Sequence, residues 1–142
     1  MPDFQSFFEV SLYSANALSI ATAFATLAIL SLGVAVRWRK GLGPNRMFFI
    51  VTICAAGWLG AFAAMYAARD ASLALRWART GYLFAALLPA AVFHFATTLV
   101  VRRKPYGLAT TLFWIACAIA ALFGFFSDQL IPTVRRFPWG YY

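Results

Sequence analysis

The chain has 142 residues, 63% hydrophobic and only 11% charged, with a mean hydropathy of +0.77, whereas soluble domains carry about 25% charged residues. That composition excludes an ordinary water-soluble globule, and the length holds about four spans of ~20 residues with no room for a catalytic domain beside them. Twelve Lys and Arg against four Asp and Glu give a net charge of +8, but the cations sit in short clusters between long apolar runs, which is the charge pattern of a membrane protein and not of a nucleic-acid surface.

The first apolar run, Leu12 to Val36, ends at Arg37-Trp38-Arg39-Lys40 and is long enough for one span. Asp3 and Glu9 precede it and no Lys or Arg does, so it reads as a retained helix with its N-terminus outside and not as a cleavable leader. Gly41-Leu42-Gly43-Pro44 breaks the chain, Asn45 is positioned to cap the next helix, and the second span is Met47 to Ala68. Asp70 is the candidate cap of a third helix, Ala71 to Val101. Its opening turns carry Arg76 and Arg79, with Leu73 and Trp77 four apart as an interfacial lead-in, before the strictly apolar stretch starts at Gly81. Arg102-Arg103-Lys104-Pro105 closes that helix. The fourth span is Tyr106 to Phe126, and Ser127 to Tyr142 is a polar tail with aromatics.

These elements predict an all-α polytopic transmembrane bundle of four helices. The two loops on one side hold seven basic residues and no acid (Arg37, Arg39, Lys40 and Arg46; Arg102, Arg103 and Lys104), while the other side holds Arg69, Arg76, Arg79, Arg135 and Arg136 together with all four acids. The positive-inside rule then turns both chain ends away from the cytoplasm of a bacterial inner membrane, with membrane lipid as the surrounding partner. Small residues recur at four-residue spacing: Ala17, Ala21 and Ala25; Ala56, Gly60, Ala64 and Ala68; Ala116, Ala120 and Gly124. They read as helix-packing seams.

The one histidine, His94, lies roughly 10 Å inside the cytoplasmic end of the third helix, and Thr97 and Thr98 share its face. An ionisable group at that depth is a candidate for ligand binding or signalling; the alternative is a neutral imidazole bonded to a neighbouring helix. Pro89 removes the donor to the Ala85 carbonyl and bends the helix, but an offset of five residues sets it about 140° from His94 around the axis. Trp58 sits mid-span in the second helix, where an indole N–H needs a partner. Arg76 and Arg79 are candidate contacts for an anion at the outer face. Trp38, Trp77, Tyr82, Trp139, Tyr141 and Tyr142 fit an aromatic belt, and Cys54 and Cys117 are small apolar packers.

Enzymatic templates fail in turn. The chain has no glycine-rich phosphate loop, HExxH, GxSxG or pair of membrane carboxylates, and no acid stands near His94 in sequence. A single histidine excludes bis-histidine haem ligation. No catalytic residue, metal site or cofactor is expected.

A set of landmarks runs along the chain: Asn45-Arg46-x-Phe48, Trp58, Trp77-Ala78-Arg79, Tyr82, Leu88-Pro89, Phe93-His94-Phe95-Ala96 and Val134-Arg135-Arg136-Phe137-Pro138-Trp139-Gly140-Tyr141-Tyr142. Together they resemble the N-terminal seven-helix membrane region of bacterial sensor histidine kinases and related diguanylate cyclases. The resemblance implies a membrane input module, followed in complete proteins by three more helices, by PAS or GAF modules and by a kinase or cyclase output. This chain departs by stopping after four helices and reads as a truncated gene or fragment, whose partners are the missing downstream helices and output domain. A second copy of the chain is a further candidate partner. The other expectation, from a different class, is a small membrane scaffold or transporter-like subunit that packs on partner helices through its alanine stripes.

Overall fold

The computed structural model describes residues 10–38, 43–100, 107–127, 129–138 and 140–141. The turn centred on Gly41, the clusters Arg39-Lys40 and Arg102-Arg103-Lys104, and the belt residues Trp139 and Tyr142 lie outside them. After a 3-10 turn at Val10–Leu12, four helices follow in order: α1 Ala17–Trp38, α2 Gly43–Ala67, α3 Ala71–Val100 and α4 Gly107–Phe126. Two short strands, β1 Arg136–Phe137 and β2 Gly140–Tyr141, pair antiparallel, with Arg136 opposite Tyr141 and Phe137 opposite Gly140. All four helices are long and apolar enough to cross a membrane. Each packs chiefly on its sequence neighbours, so α2 lies between α1 and α3, and α4 lies against α3.

Two helix starts differ from the sequence reading, for local reasons. α1 begins at Ala17, not Leu12, because Asn16 forms a reciprocal cap: Ser19 N donates to Asn16 Oδ1 at 2.7 Å and Asn16 N donates to Ser19 Oγ at 3.0 Å. α2 starts at Gly43, which leaves Asn45 inside its first turn and not at its cap. The third start agrees with expectation. Asp70 Oδ2 accepts from Ser72 N at 3.0 Å and Leu73 N at 3.2 Å, which satisfies donors that a helix N-terminus otherwise leaves orphaned.

The interior is built from small residues and the outside from large ones. Buried positions include Ser19, Thr52, Cys54, Ala56, Ala61, Ala63, Ala90, Ala91, Thr110, Cys117 and Ala121, while Leu18, Phe24, Leu27, Leu32, Leu108, Leu112, Ile119, Phe123 and Phe126 face outward. This is the reverse of a water-driven core and is what close helix packing in a hydrocarbon surround favours. Three glycines mark the close approaches: the Thr52 side chain sits on Gly33 between α1 and α2, the Phe84 ring on Gly57 between α2 and α3, and the Tyr82 ring on Gly124 between α3 and α4. The expected seams are redrawn accordingly. Ala17, Ala21 and Ala25 are exposed, and α1 meets α2 through Ser19, Thr26 and Gly33; Ala116 and Ala120 are exposed too, and α4 packs through Thr110, Cys117, Ala121 and Gly124.

One end of the bundle is closed by segments from both ends of the described chain. Met65, Ala68, Leu73, Ala74, Ala78 and Tyr141 form a buried cluster, flanked by Leu12, Tyr13, Ile131 and Val134. Ser14 N donates to Ala67 O at 2.7 Å, Arg69 N to Leu12 O at 2.9 Å, Asn16 Nδ2 to Tyr66 O at 2.7 Å and Trp77 Nε1 to Tyr13 Oη at 2.8 Å. The tail is therefore packed structure: Tyr141 is 7% exposed and its hydroxyl donates to Arg69 O at 3.3 Å. Gly140 lies at φ +128°, and a Cβ there would stand 2.6 Å from the Tyr66 carbonyl oxygen, so the turn both needs glycine and is seated directly on α2.

Candidate functional site

The sequence candidates on α3 fall into two groups. His94 is bound to α4: Trp114 Nε1 donates to His94 Nδ1 at 3.2 Å. An indole nitrogen is a donor only, so Nδ1 must be the unprotonated nitrogen and Nε2 carries the proton of a neutral imidazole. The contact therefore fixes which ring nitrogen faces α4. Beside it, the Phe93 and Phe113 rings meet edge to face with centroids 5.3 Å apart, and Phe95 packs on Phe48 of α2 at 5.7 Å.

Thr97 and Thr98 do not orient the imidazole. Their hydroxyls donate into their own helix, to His94 O at 2.8 Å and Phe95 O at 2.7 Å. This back-bonding is the habitual use of a helical threonine, and Thr22, Thr26, Ser31, Thr80 and Thr111 repeat it with the carbonyl four residues earlier. The partner that sequence spacing missed is Trp114, about two turns into α4, which is legible in the sequence only as one more aromatic in an apolar run.

Sharing the Phe93–Phe113 pair with this contact, Trp58 of α2, Ala85, Leu88, Pro89, Val92, Phe93 and Ala96 of α3 and Phe113 of α4 line an open apolar cleft of about 690 Å³. Pro89 and Trp58 share this cleft, while His94 does not line it, in keeping with its angular separation from Pro89. The Trp58 ring lies 5.9 Å from that of Phe62, and its Cδ1 edge and carbonyl approach Gly81.

Arg69, Arg79 and Arg136 serve the closed end of the bundle. Arg79 Nη2 donates to Ile131 O at 3.2 Å and so ties the tail to α3, Arg69 Nη1 donates to Ser11 O at 3.2 Å, and Arg136 lies 6.0 Å from the Tyr141 ring centroid. Arg76 is half-buried on the same helix, three residues before Arg79. Asp70 is held below the usual carboxylate range, first by the Ser72 hydroxyl and then by the Leu73 N–H that it accepts. Cys54 and Cys117 are both buried free thiols. Among the described residues no three His, Cys, Asp or Glu side chains converge as metal ligands would. No family model, curated protein or solved structure matches the chain.

Proposed function

We propose that the chain is the membrane-embedded signal-input part of a bacterial sensor protein of the histidine kinase or cyclase type, set in the inner membrane with both ends outside the cytoplasm and with no catalysis of its own. The observation that carries the reading is the His94–Trp114 hydrogen bond between α3 and α4, made by a helix that Pro89 has already deprived of one backbone hydrogen bond five residues earlier. A polar contact of this kind is made or broken by a small shift in helix packing. Any ligand that binds one arrangement better moves the population toward it.

The partners in this reading are lipid, further helices and a cytoplasmic output domain encoded downstream, and a second copy of the chain. Two measurements test it. The downstream reading frame should encode three more apolar helices and an output domain, and in that longer protein His94→Leu should lock or abolish signalling. A frame without them, or wild-type signalling by His94→Leu, overturns the proposal. Purified chain incubated with labelled ATP should take up no phosphoryl group, and labelling of His94 would contradict the non-catalytic assignment.

One observation favours the second reading, a scaffold that packs on partner helices. Ala17, Ala21 and Ala25 on α1 and Ala116 and Ala120 on α4 face outward, which leaves small surfaces available to other helices. Cysteines at Ala21 or Ala120 that crosslink to a partner in native membranes would support it, and absence of such crosslinks removes it. The transporter form of this reading fares worse, because among the described residues the helical threonine hydroxyls are turned into their own helices and assemble no polar path.

A further inference from the structure

α4 has 20 residues and is therefore about 30 Å long, the thickness of a hydrocarbon core. Its Gly124 lies under the Tyr82 ring of α3, so α4 ends level with the point where the strictly apolar part of α3 begins. From Tyr82 back to Ala71, α3 runs on for about 16 Å. The tail lies beside this extension. Arg79, about 5 Å beyond Tyr82 along α3, donates to Ile131 O, and the hairpin of β1 and β2 is seated on Tyr66 and Arg69 at the end of α2. A headgroup layer adds about 5–7 Å to each side of the core. The tail thus starts at the hydrocarbon boundary after Phe126 and passes outward through that layer.

There it exposes two kinds of side chain. Leu130 is 47% and Phe137 38% exposed, and Arg135 and Arg136 are exposed beside Phe137. From Gln129 to Tyr142 the sequence holds these two arginines and no acid. Asp70, in the adjoining α2–α3 turn, is turned onto its own helix, where it accepts from Ser72 N and Leu73 N. Water serves the arginines but not the apolar groups, and a neutral lipid surface serves the apolar groups but not the arginines. Anionic headgroups above an acyl boundary serve both, because basic and apolar side chains on one surface add electrostatic attraction to apolar burial, and guanidinium pairs with phosphate oxygens in charge-assisted hydrogen bonds.

We infer that the tail is a docking surface for anionic phospholipid, with Leu130 at the acyl boundary and Arg135 and Arg136 on the phosphates of the leaflet from which α4 emerges. Arg136 lies 6.0 Å from the centroid of the Tyr141 ring, and the Tyr141 hydroxyl is bonded to Arg69 O. Lipid bound at the tail therefore bears directly on the turn between α2 and α3. Docking of this kind needs the helices to stand in a bilayer but is independent of what the chain senses, so lipid binding by the purified chain tests the surface while signalling output tests the sensor reading.

The full chain in nanodiscs of phosphatidylcholine, alone or mixed with phosphatidylglycerol, tests this by amide exchange over residues 129–138 and by the depth of a nitroxide on Thr133→Cys in a Cys54→Ala, Cys117→Ala background. Each arginine near an anionic surface is worth about fivefold, so phosphatidylglycerol should slow exchange in the tail about 25-fold, and the nitroxide should report the headgroup layer. Arg135→Gln with Arg136→Gln should abolish the dependence on lipid charge. Arg135→Lys with Arg136→Lys should keep most of it, which separates charge from the packing of Arg136 on Tyr141. Leu130→Ser should quicken exchange in both lipids alike. Equal exchange in the two lipids, a nitroxide in bulk water, the same slowing by free glycerol phosphate in phosphatidylcholine discs, or a slowing that requires two chains per disc would overturn the inference, the last two by assigning the arginines to a soluble anion or to a second copy.

Discussion

Coupling between His94 and Trp114 is measurable by a double-mutant cycle of Trp114→Phe and His94→Leu. The bond is half-buried and 3.2 Å long, at the far end of the usual range. Net hydrogen bonds contribute about 0.5–1.5 kcal/mol, and side-chain pairs between membrane helices average about 0.6 kcal/mol because the unfolded chain in lipid also finds partners. The length and the half-burial argue for that lower figure, so the expected coupling is about 0.6 kcal/mol, read by reversible unfolding in mixed micelles or by steric trapping. The chain has one histidine, and ¹⁵N-histidine spectra therefore report its tautomer without ambiguity. Nε2 should carry the proton and Nδ1 should be an acceptor, with the preference weakened in Trp114→Phe. His94→Gln, which offers Oε1 to the indole, should retain most of the coupling, and His94→Leu should insert at least as well as wild type because it removes a polar group from a span. A coupling indistinguishable from zero together with a protonated Nδ1 would refute the contact and the function built on it.

Orientation is checked with single cysteines at Gly41, Ala71, Tyr106 and Thr133 in a Cys54→Ala, Cys117→Ala background: an impermeant thiol reagent on intact spheroplasts should label Ala71→Cys and Thr133→Cys alone, and the opposite pattern reverses the topology. Gly140→Ala combines a disfavoured φ with a 2.6 Å approach to the Tyr66 carbonyl, a strain of about 2 kcal/mol, so amide exchange over residues 134–141 should quicken about thirtyfold, and unchanged exchange would mean the tail is not seated on α2. Asp70→Ala should cost about 1 kcal/mol as a lost helix cap. Because the folded state depresses the Asp70 pKa, the carboxylate's contribution is full above its unfolded value and is lost as pH falls through the folded value; wild type should therefore lose stability on acidification below about pH 4 relative to Asp70→Asn, whose cap does not titrate, and parallel profiles would contradict this.

What could be read from the sequence and what could not follows from the range of the forces involved. The four apolar runs and the Asp70 cap are local, and each helix is recovered within a few residues at its C-terminal end. α1 starts five residues after Leu12, because Leu12, Tyr13 and Ala15 extend the apolar run ahead of the cap, although Asn16 and Ser19 stand at the spacing of a capping box. The alanine stripe marked the seam on α2, where Ala56 and Ala68 are buried, but not on α1 or α4, since lipid tolerates alanine as well as a neighbouring helix does. Gly33, Gly57 and Gly124 were the better markers, because only there does a facing side chain occupy the room of a Cβ. For His94, the spacing to Thr97 and Thr98 pointed to a shared site, but a helical hydroxyl finds its own carbonyl first. The true partner lies on the next helix, beyond any local pattern, and the folding of the tail onto the α2–α3 turn is non-local in the same way.

α3 is the element on which these features meet. Its first turns are held in the capped end through Leu73, Trp77 and Arg79, its middle walls the cleft from Ala85 to Ala96, and His94 ties its later turns to α4. From Trp77 to His94 is about 25 Å at ~1.5 Å per residue, with Pro89 between them as the place where the helix bends most cheaply. In the proposed sensor reading the capped end is the fixed reference, and a ligand that favours one arrangement would shift the His94 end relative to α4 and not the whole helix. The energies are commensurate. If the Trp114 contact is worth about 0.6 kcal/mol, a ligand that binds the separated arrangement about threefold more tightly is enough to offset it.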